Sequence, residues 1–295
     1  MKIGFSILSH KNPDSVFAEL INQLSNYPNS EIVIHHDFTK ASFDHAIIQK
    51  DHIELVEKHI PTEWSHVNNI EAILKTFESL YDKDCDWFIT LSANCYPIKS
   101  QKQIIDFLQN SIFDGYIEGN SIYSDVFDFY TYFRKAFNTK LLFHIPFLRK
   151  NGVFYWKALR TKRKTSDIIF DKSFIPYHGS DWFMINRTSM TYILKHKDKI
   201  DDIVSFLRKV NRGDDLNVCP AEVVFQTLLY NQSKLKLSSN NYRYIDWTNP
   251  VNWHPKVLTQ NDFERIKHSD ALFARKVDSI HSKDLIEEIN KQLLS

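Results

Sequence analysis

Glycine is scarce in this chain, six residues in 295. Neither G-x-G-x-x-G nor G-x-x-x-x-G-K-[S/T] occurs, so a glycine cradle for phosphate is unsupported, and a bound nucleotide would have to be held by side chains. Cysteine is scarcer still: Cys85, Cys95 and Cys219 form no C-x-x-C pair. That argues against a disulfide framework or a cysteine-rich zinc site and fits a reducing compartment. No run of about 18 apolar residues is present, and the apolar opening at 3–8 has the length of a strand, too short for a signal segment. A cytoplasmic protein is therefore expected. G-x-S-x-G is missing too, and the cysteines lack nucleophile signatures, so nucleophilic catalysis is a poor reading. The net charge of +1 names no partner.

What the chain has is a globular share of apolar residues, 43%, with 22 Phe, 13 Tyr and 6 Trp. Such aromatic content suits large cores and also sites that stack on flat ligands. The periodicity predicts strands at 3–10, 30–37, 53–58 and 86–100 and helices after Asn12 or Asp14, over 65–82 and from Lys102. A short strand follows near 113–120. Alternation of apolar strands with amphipathic helices indicates an α/β fold with a mostly parallel central sheet flanked by helices. Ligands of such sheets sit at the carboxyl ends of the strands. Those ends read Ser9-His10, His35-His36-Asp37 and Ser92-Ala93-Asn94.

Metal readings are weak. His35 and His36 are adjacent on a strand and point to opposite faces, so they cannot share an ion without a bend. Asp84 and Asp86 have the D-x-D spacing, but they precede the apolar strand at 87–91 and stand at the wrong end of the sheet. A solvated turn is the expectation there. The stretch "NVCPAEVVFQTLLYN" at 217–231 is different. A proline opens a helix, and Glu222 heads an otherwise apolar run. A first-turn carboxylate meets the positive end of the helix dipole, which explains its comfort. The same carboxylate beside a cleft serves as a general base. Cations for an anionic leaving group come late in the chain, as His254 and Lys256 in "HPK" and Arg275 and Lys276 in "FARK".

The ordered stretches "ILSHKNPDSVFAELINQL", "IVIHHDFTK", "TEWSHVNNIEAILKTFESL", "DWFITLSANCYPIKS", "HGSDWFMINR", "CPAEVVFQTLL", "YRYIDW" and "LFARKVD" resemble one family. It is the core-2/I-branching β-1,6-N-acetylglucosaminyltransferases, glycosyltransferase family 14, which includes peptide xylosyltransferases. The resemblance implies a GT-A-like fold and inverting, metal-independent transfer from a UDP-sugar. It implies that Glu222 is the catalytic base and that Lys276 binds the donor diphosphate. The family's partner arginine has no counterpart here, and His254 or Lys256 stands in that region. By the same matching Asp37 contacts the nucleoside, and Ile7, Leu8, Glu63 and Trp64 line its pocket. Asp181, Trp182 and Trp247 are the candidates for the acceptor, the carboxylate for a hydroxyl and the indoles for sugar faces. No cofactor is expected. The expected reaction moves GlcNAc from UDP-GlcNAc to a glycan hydroxyl, in capsule, lipopolysaccharide or other surface glycan synthesis. UDP-xylose transfer and non-catalytic carbohydrate binding are the alternatives. A glycoside hydrolase would need two flanking carboxylates, and one strong candidate is evident.

One catalytic domain over 1–295 is expected, with a basic and aromatic insertion at about 121–175. Residues 133–164 hold ten Lys and Arg and no Asp or Glu, which puts about +10 on that segment and about −9 on the rest. Interleaved basic and apolar side chains suit an anionic membrane surface, and a solvated insertion with its own small core is the plainer reading. No nucleic-acid module surrounds the segment. The expectation is peripheral contact with the inner face of a bacterial plasma membrane, near a lipid-linked acceptor. Vesicles containing anionic lipid should carry the protein on flotation. Substituting Lys162, Arg163 and Lys164 together by Ala should weaken that; absence of binding, or binding indifferent to the triple change, rules the membrane reading out.

Overall fold

The computed structural model describes residues 1–63, 66–121, 175, 177–210, 219–248, 250 and 254–294. The basic segment 133–164 and Trp64 lie outside the described residues. The first half runs β1 (Ile3–Ser9), α1 (Ser15–Ser25), β2 (Ser30–His36), β3 (Ile53–Leu55), α2 (Asn68–Asp82), β4 (Trp87–Ser92), β5 (Cys95–Pro97), α3 (Gln101–Gln109), β6 (Gly115–Tyr116) and β7 (Asn120–Ser121). Then come β8 (Tyr177–His178), β9 (Met184–Asn186), α4 (Arg187–Lys195), α5 (Lys197–Val210), α6 (Ala221–Tyr230), β10 (Leu237–Ser238), β11 (Arg243–Ile245), α7 (Phe263–Lys267), β12 (Phe273–Arg275) and α8 (Lys283–Gln292).

Seven strands form the main sheet, in the order β10-β6-β9-β4-β1-β2-β3. β1 is central and parallel to both β2 and β4, whereas β9 is antiparallel to β4 and β6. The central strands are mostly apolar because both faces are covered. Alternate residues divide between two cores. Phe5, Ile7, Ile32, Ile34, Ile89 and Leu91 pack with α1, α3 and α8, and Val33 and Phe88 pack with α2, α4 and α6. Each large apolar side chain so buried stabilises the fold by about 1.5–3 kcal/mol before ordering costs.

Local chemistry sets the ends. Asp14 caps α1, accepting from the Phe17 N–H at 2.9 Å, and Ser100 with Gln103 forms a capping box on α3. His35 and His36 do point apart: the Ile60 N–H donates to His35 Nε2 at 2.8 Å, whereas His36 Nδ1 meets the Ser9 hydroxyl at 2.7 Å. The Asp84/Asp86 pair sits at the amino end of β4. Arg187 donates to Asp84 at 3.1 Å and the Lys2 N–H to Asp86 at 2.7 Å, so both carboxylates hold a turn together.

A second sheet decides where the late residues go. β12 lies between β11, to which it is parallel, and β5, to which it is antiparallel. β5 follows β4 after a two-residue turn, so this sheet grows from the carboxyl end of the main one. The Arg243 guanidinium joins the two sheets from inside, donating to the Thr90 carbonyl at 3.3 Å and lying 4.7 Å from the Phe273 ring centroid.

Candidate active site

Arg275 ends β12 opposite Cys95 of β5, and Lys276 follows it. Asn94, in the turn after β4, grips the next residue twice. Its side-chain amide donates to the Val277 carbonyl at 2.8 Å, and its own carbonyl accepts from the Val277 N–H at 3.0 Å. The Leu258 N–H donates to the Lys276 carbonyl at 2.8 Å, which brings the 254–258 segment alongside. Lys276 Nζ then donates to His254 Nδ1 at 3.1 Å. Lys11, just past the end of β1, belongs to the same group. Burial, Arg275 and Lys11 push the Lys276 ammonium down to about 8. Burial, Lys276, Arg275 and Lys11 hold His254 below its ordinary value, and burial with Lys40, Lys11 and Lys276 does the same to His10. Basic groups are thus crowded at the carboxyl end of the sheet, where an anion would relieve the repulsion among them.

The acidic part comes from α6. Nearly all of that helix is buried, from Ala221 and Val223 through Leu229, so the half-exposed Glu222 is its one outlet to solvent before Tyr230. His178 Nε2 lies 3.1 Å from Glu222 Oε2. Asp181 is close by, and burial followed by the Glu222 carboxylate raises it well above the usual carboxylate range, against the pull of Arg275. Thr90 fixes this stretch to β4, donating to the Asp181 carbonyl at 2.8 Å and accepting from the Phe183 N–H at 2.7 Å. The Arg275 guanidinium stacks 4.3 Å from the Trp182 ring centroid. Asp181 Oδ1 and Arg275 Nε are buried without hydrogen-bond partners. Such orphans cost about 1–3 kcal/mol each, and a ligand hydroxyl would satisfy both kinds. Arg275 is thus the joint between a basic half and an acidic half.

The other expected residues fall in different places. Lys256 is committed elsewhere, 2.8 Å from the buried Asp262 and 3.9 Å from Asp246, so of the two residues left open by the sequence His254 is the one beside Lys276. Asp37 is buried. Its Oδ1 accepts from the Thr39 N–H and hydroxyl at 3.0 and 2.6 Å, and its Oδ2 from the Thr62 N–H and hydroxyl at 2.7 and 3.1 Å. These bonds outweigh burial and lower its pKa. Ile7 is fully buried in the core, Leu8 is half-buried at the end of β1, and Glu63 pairs with Lys40 at 3.1 Å. Trp182 is half-buried under Arg275, while Trp247 is 57% exposed just past β11. Sequence reasoning placed His10 at a ligand-facing strand end and Arg275 among the late cations, but passed over Lys11 and His178. Lys11 carried a usable signal, its position just after a central parallel strand.

The profile of the Core-2/I-Branching enzyme family matches residues 3–267. The chain belongs to this family. Among curated relatives of this Core-2/I-Branching chain, xylosyltransferase 1 of Rattus norvegicus is 24% identical over 98% of this chain and 33% of its own length. Beta-glucuronosyltransferase GlcAT14B of Arabidopsis thaliana is 25% identical over 72% of this chain and 44% of its own. The chain therefore spans about a third to under a half of these proteins. The crystal structure of a glycosyltransferase involved in the glycosylation of the major capsid of PBCV-1 aligns over 96% of this chain and 98% of its own, with 12% identity and a TM-score of 0.35.

In this Core-2/I-Branching site the crowding of Lys276 has a measurable consequence. Its folded pKa of about 8 lies below the ordinary 10.5, so the folded state binds fewer protons between those values and the charged form is destabilising below them. Lys276→Met should raise Tm at pH 7 by about 2 °C, and the gain should shrink as pH rises from 8 towards 10.5. A lower Tm for the variant at pH 7 would show that the ammonium is not crowded.

Proposed function

We propose that the chain is an inverting glycosyltransferase domain acting on a nucleoside-diphosphate sugar. The observation that carries this reading is the pairing of two opposite devices: a carboxylate with one oxygen held by His178, and a cluster of mutually repelling cations at the carboxyl end of the sheet. In the proposed step Glu222 Oε1 takes the proton of an acceptor hydroxyl. The acceptor oxygen bonds to the anomeric carbon, and the bond from that carbon to the diphosphate oxygen breaks on the opposite face, its electron pair leaving with the diphosphate. Lys276, His254 and Lys11, with Arg275 behind them, receive the developing negative charge. Fixed cations in a partly dry cleft do this without reorganising. The proposed reaction is metal-independent on this account, because the protein's own charges face the leaving group.

The donor proposed is a UDP-sugar, with GlcNAc the sugar that the sequence resemblance favours. The names of the relatives, xylosyltransferase and glucuronosyltransferase, support xylose as a second donor to test. The acceptor is proposed to be a hydroxyl of a growing surface glycan, reached from the cytoplasmic face of the membrane. Asp181 and Trp182 are proposed to wall the acceptor side, and the exposed Trp247 to offer a platform for a flat face. A panel of UDP-GlcNAc, UDP-xylose and UDP-glucuronate read by thermal shift identifies the donor, since a ligand specific for the folded state raises Tm by mass action.

Glu222→Gln should lower turnover of that donor by about 10²–10⁴-fold while leaving UDP affinity within about twofold of the parent. Near-normal turnover in this variant refutes the assignment. Saturating EDTA should leave the parent rate unchanged; activity lost to EDTA and restored by Mn²⁺ overturns the metal-free mechanism.

A further inference from the structure

We infer that His178 is the positioning residue of the catalytic carboxylate: it holds one oxygen of Glu222 so that the other is presented to the acceptor. The inference rests on Glu222 being the base. Among the described residues, the hydrogen bond from His178 Nε2 at 3.1 Å is the one that Glu222 accepts through its side chain, and it falls on Oε2. Oε1 has none. A carboxylate only accepts, so Nε2 carries the hydrogen. The neutral ring suffices for this.

A glutamate in the first turn of a helix has three side-chain torsions to settle. Left alone, a half-exposed one samples several rotamers, and only some aim an oxygen into the cleft. The neighbours on the acidic side supply no second anchor. Asp181 repels Glu222, and Arg275 attracts it without a hydrogen bond. Among the described residues, His178 is what settles the geometry. After Oε1 takes the acceptor proton, Oε2 remains an acceptor, so the ring keeps its hydrogen and its place throughout the step.

The strand that carries His178 is itself fixed on α6 with unusual redundancy. Its neighbour Gly179 donates its N–H to the Glu222 carbonyl at 2.9 Å. Tyr177 donates its N–H to Thr227 Oγ1 at 2.9 Å, and the Thr227 hydroxyl donates back to the Tyr177 carbonyl at 3.2 Å. The Tyr177 ring stacks on Tyr230 at 4.7 Å and 18°. Gln226 donates to the Ser180 carbonyl at 2.9 Å. On the other side β8 pairs with β7, His178 opposite Asn120. Gly179 must be glycine, since a Cβ there would come within 1.9 Å of the Glu118 carbonyl oxygen. A two-residue strand gains little from its own pairing, yet the stretch 177–180 is tied to four positions along α6, at Glu222, Gln226, Thr227 and Tyr230. That degree of fixation sets a side chain to within the tolerance that proton transfer requires.

The test compares His178→Leu, which removes the donor, with His178→Gln, whose amide nitrogen restores one at the reach of Nε2. Both are made in the parent and in Glu222→Gln. Turnover is read as UDP release from UDP-GlcNAc, UDP-xylose and UDP-glucuronate, and affinity as UDP binding by calorimetry. His178→Leu should lower kcat by about 10–100-fold with UDP affinity within about twofold of the parent. His178→Gln should recover most of the loss. In the Glu222→Gln background the Leu change should cost less than about twofold more, because the histidine acts through the carboxylate. Parent-like turnover of His178→Leu, an equal loss on top of Glu222→Gln, or a Gln variant no better than Leu overturns the inference. A fully active Glu222→Gln overturns the base assignment instead, so the two failures are distinct. If the Leu variant does not fold, His178→Asn replaces it, polar but too short to reach Oε2, with the same outcomes deciding.

Discussion

The site depends on β12 being paired on both sides. A three-residue strand from near the end of the chain is clamped between β11 and β5, and β5 is two residues from the end of β4. Those ladders carry Arg275 and Lys276 to the carboxyl edge of the main sheet, where β1 delivers Lys11. The grip of Asn94 on Val277 and the buried Arg243 keep the two sheets in register. Without the second sheet, residues some 180 apart in sequence would have no reason to face one another, and Arg275 would not come within reach of Glu222.

The architecture holds charge under tension. Basic groups that repel one another stand at one end, two carboxyl groups that repel one another at the other, and Arg275 feels both. Several of the polar atoms involved are buried and unpaired. A fold selected for stability alone would disperse these groups or pair them, as it does with Lys256, Asp246, Asp262 and Arg265 a short distance away. The contrast between that paired network and the crowded groups beside it is the pattern expected of a binding site. The rigid backing is equally consistent with this: α6 is buried along almost its whole length, and Thr90 and Gln226 fix the loop that bears Asp181 and Trp182.

Much of the frame was legible in the sequence, because strand and helix periods report burial directly. β1, β2, β4, α1 and α2 lie where apolar spacing put them, and the Asp84/Asp86 pair sits at the amino end as its place before an apolar strand required. Glu222 was visible as a carboxylate at the head of a buried helix. β5 and β12 were harder. Each has three residues, too few for a period, and their pairing joins segments distant in sequence. The same holds for β8, whose two residues carry His178.

Residue types in sequence order determined which chemistry was available: a helix-start carboxylate, late cations, no glycine cradle and no cysteine site. The tertiary structure decided which of those groups meet. His254 and Lys256 are two residues apart and would share a face of a regular extended segment, yet one turns to Lys276 and the other to Asp262, because each is drawn by a different partner. Asp37 offers four lone-pair positions, and two threonines brought in by the loops take all of them. Composition and periodicity are sums over local chain, and they report burial well. A side chain's partner is a choice among non-local contacts, and only the packed structure makes it.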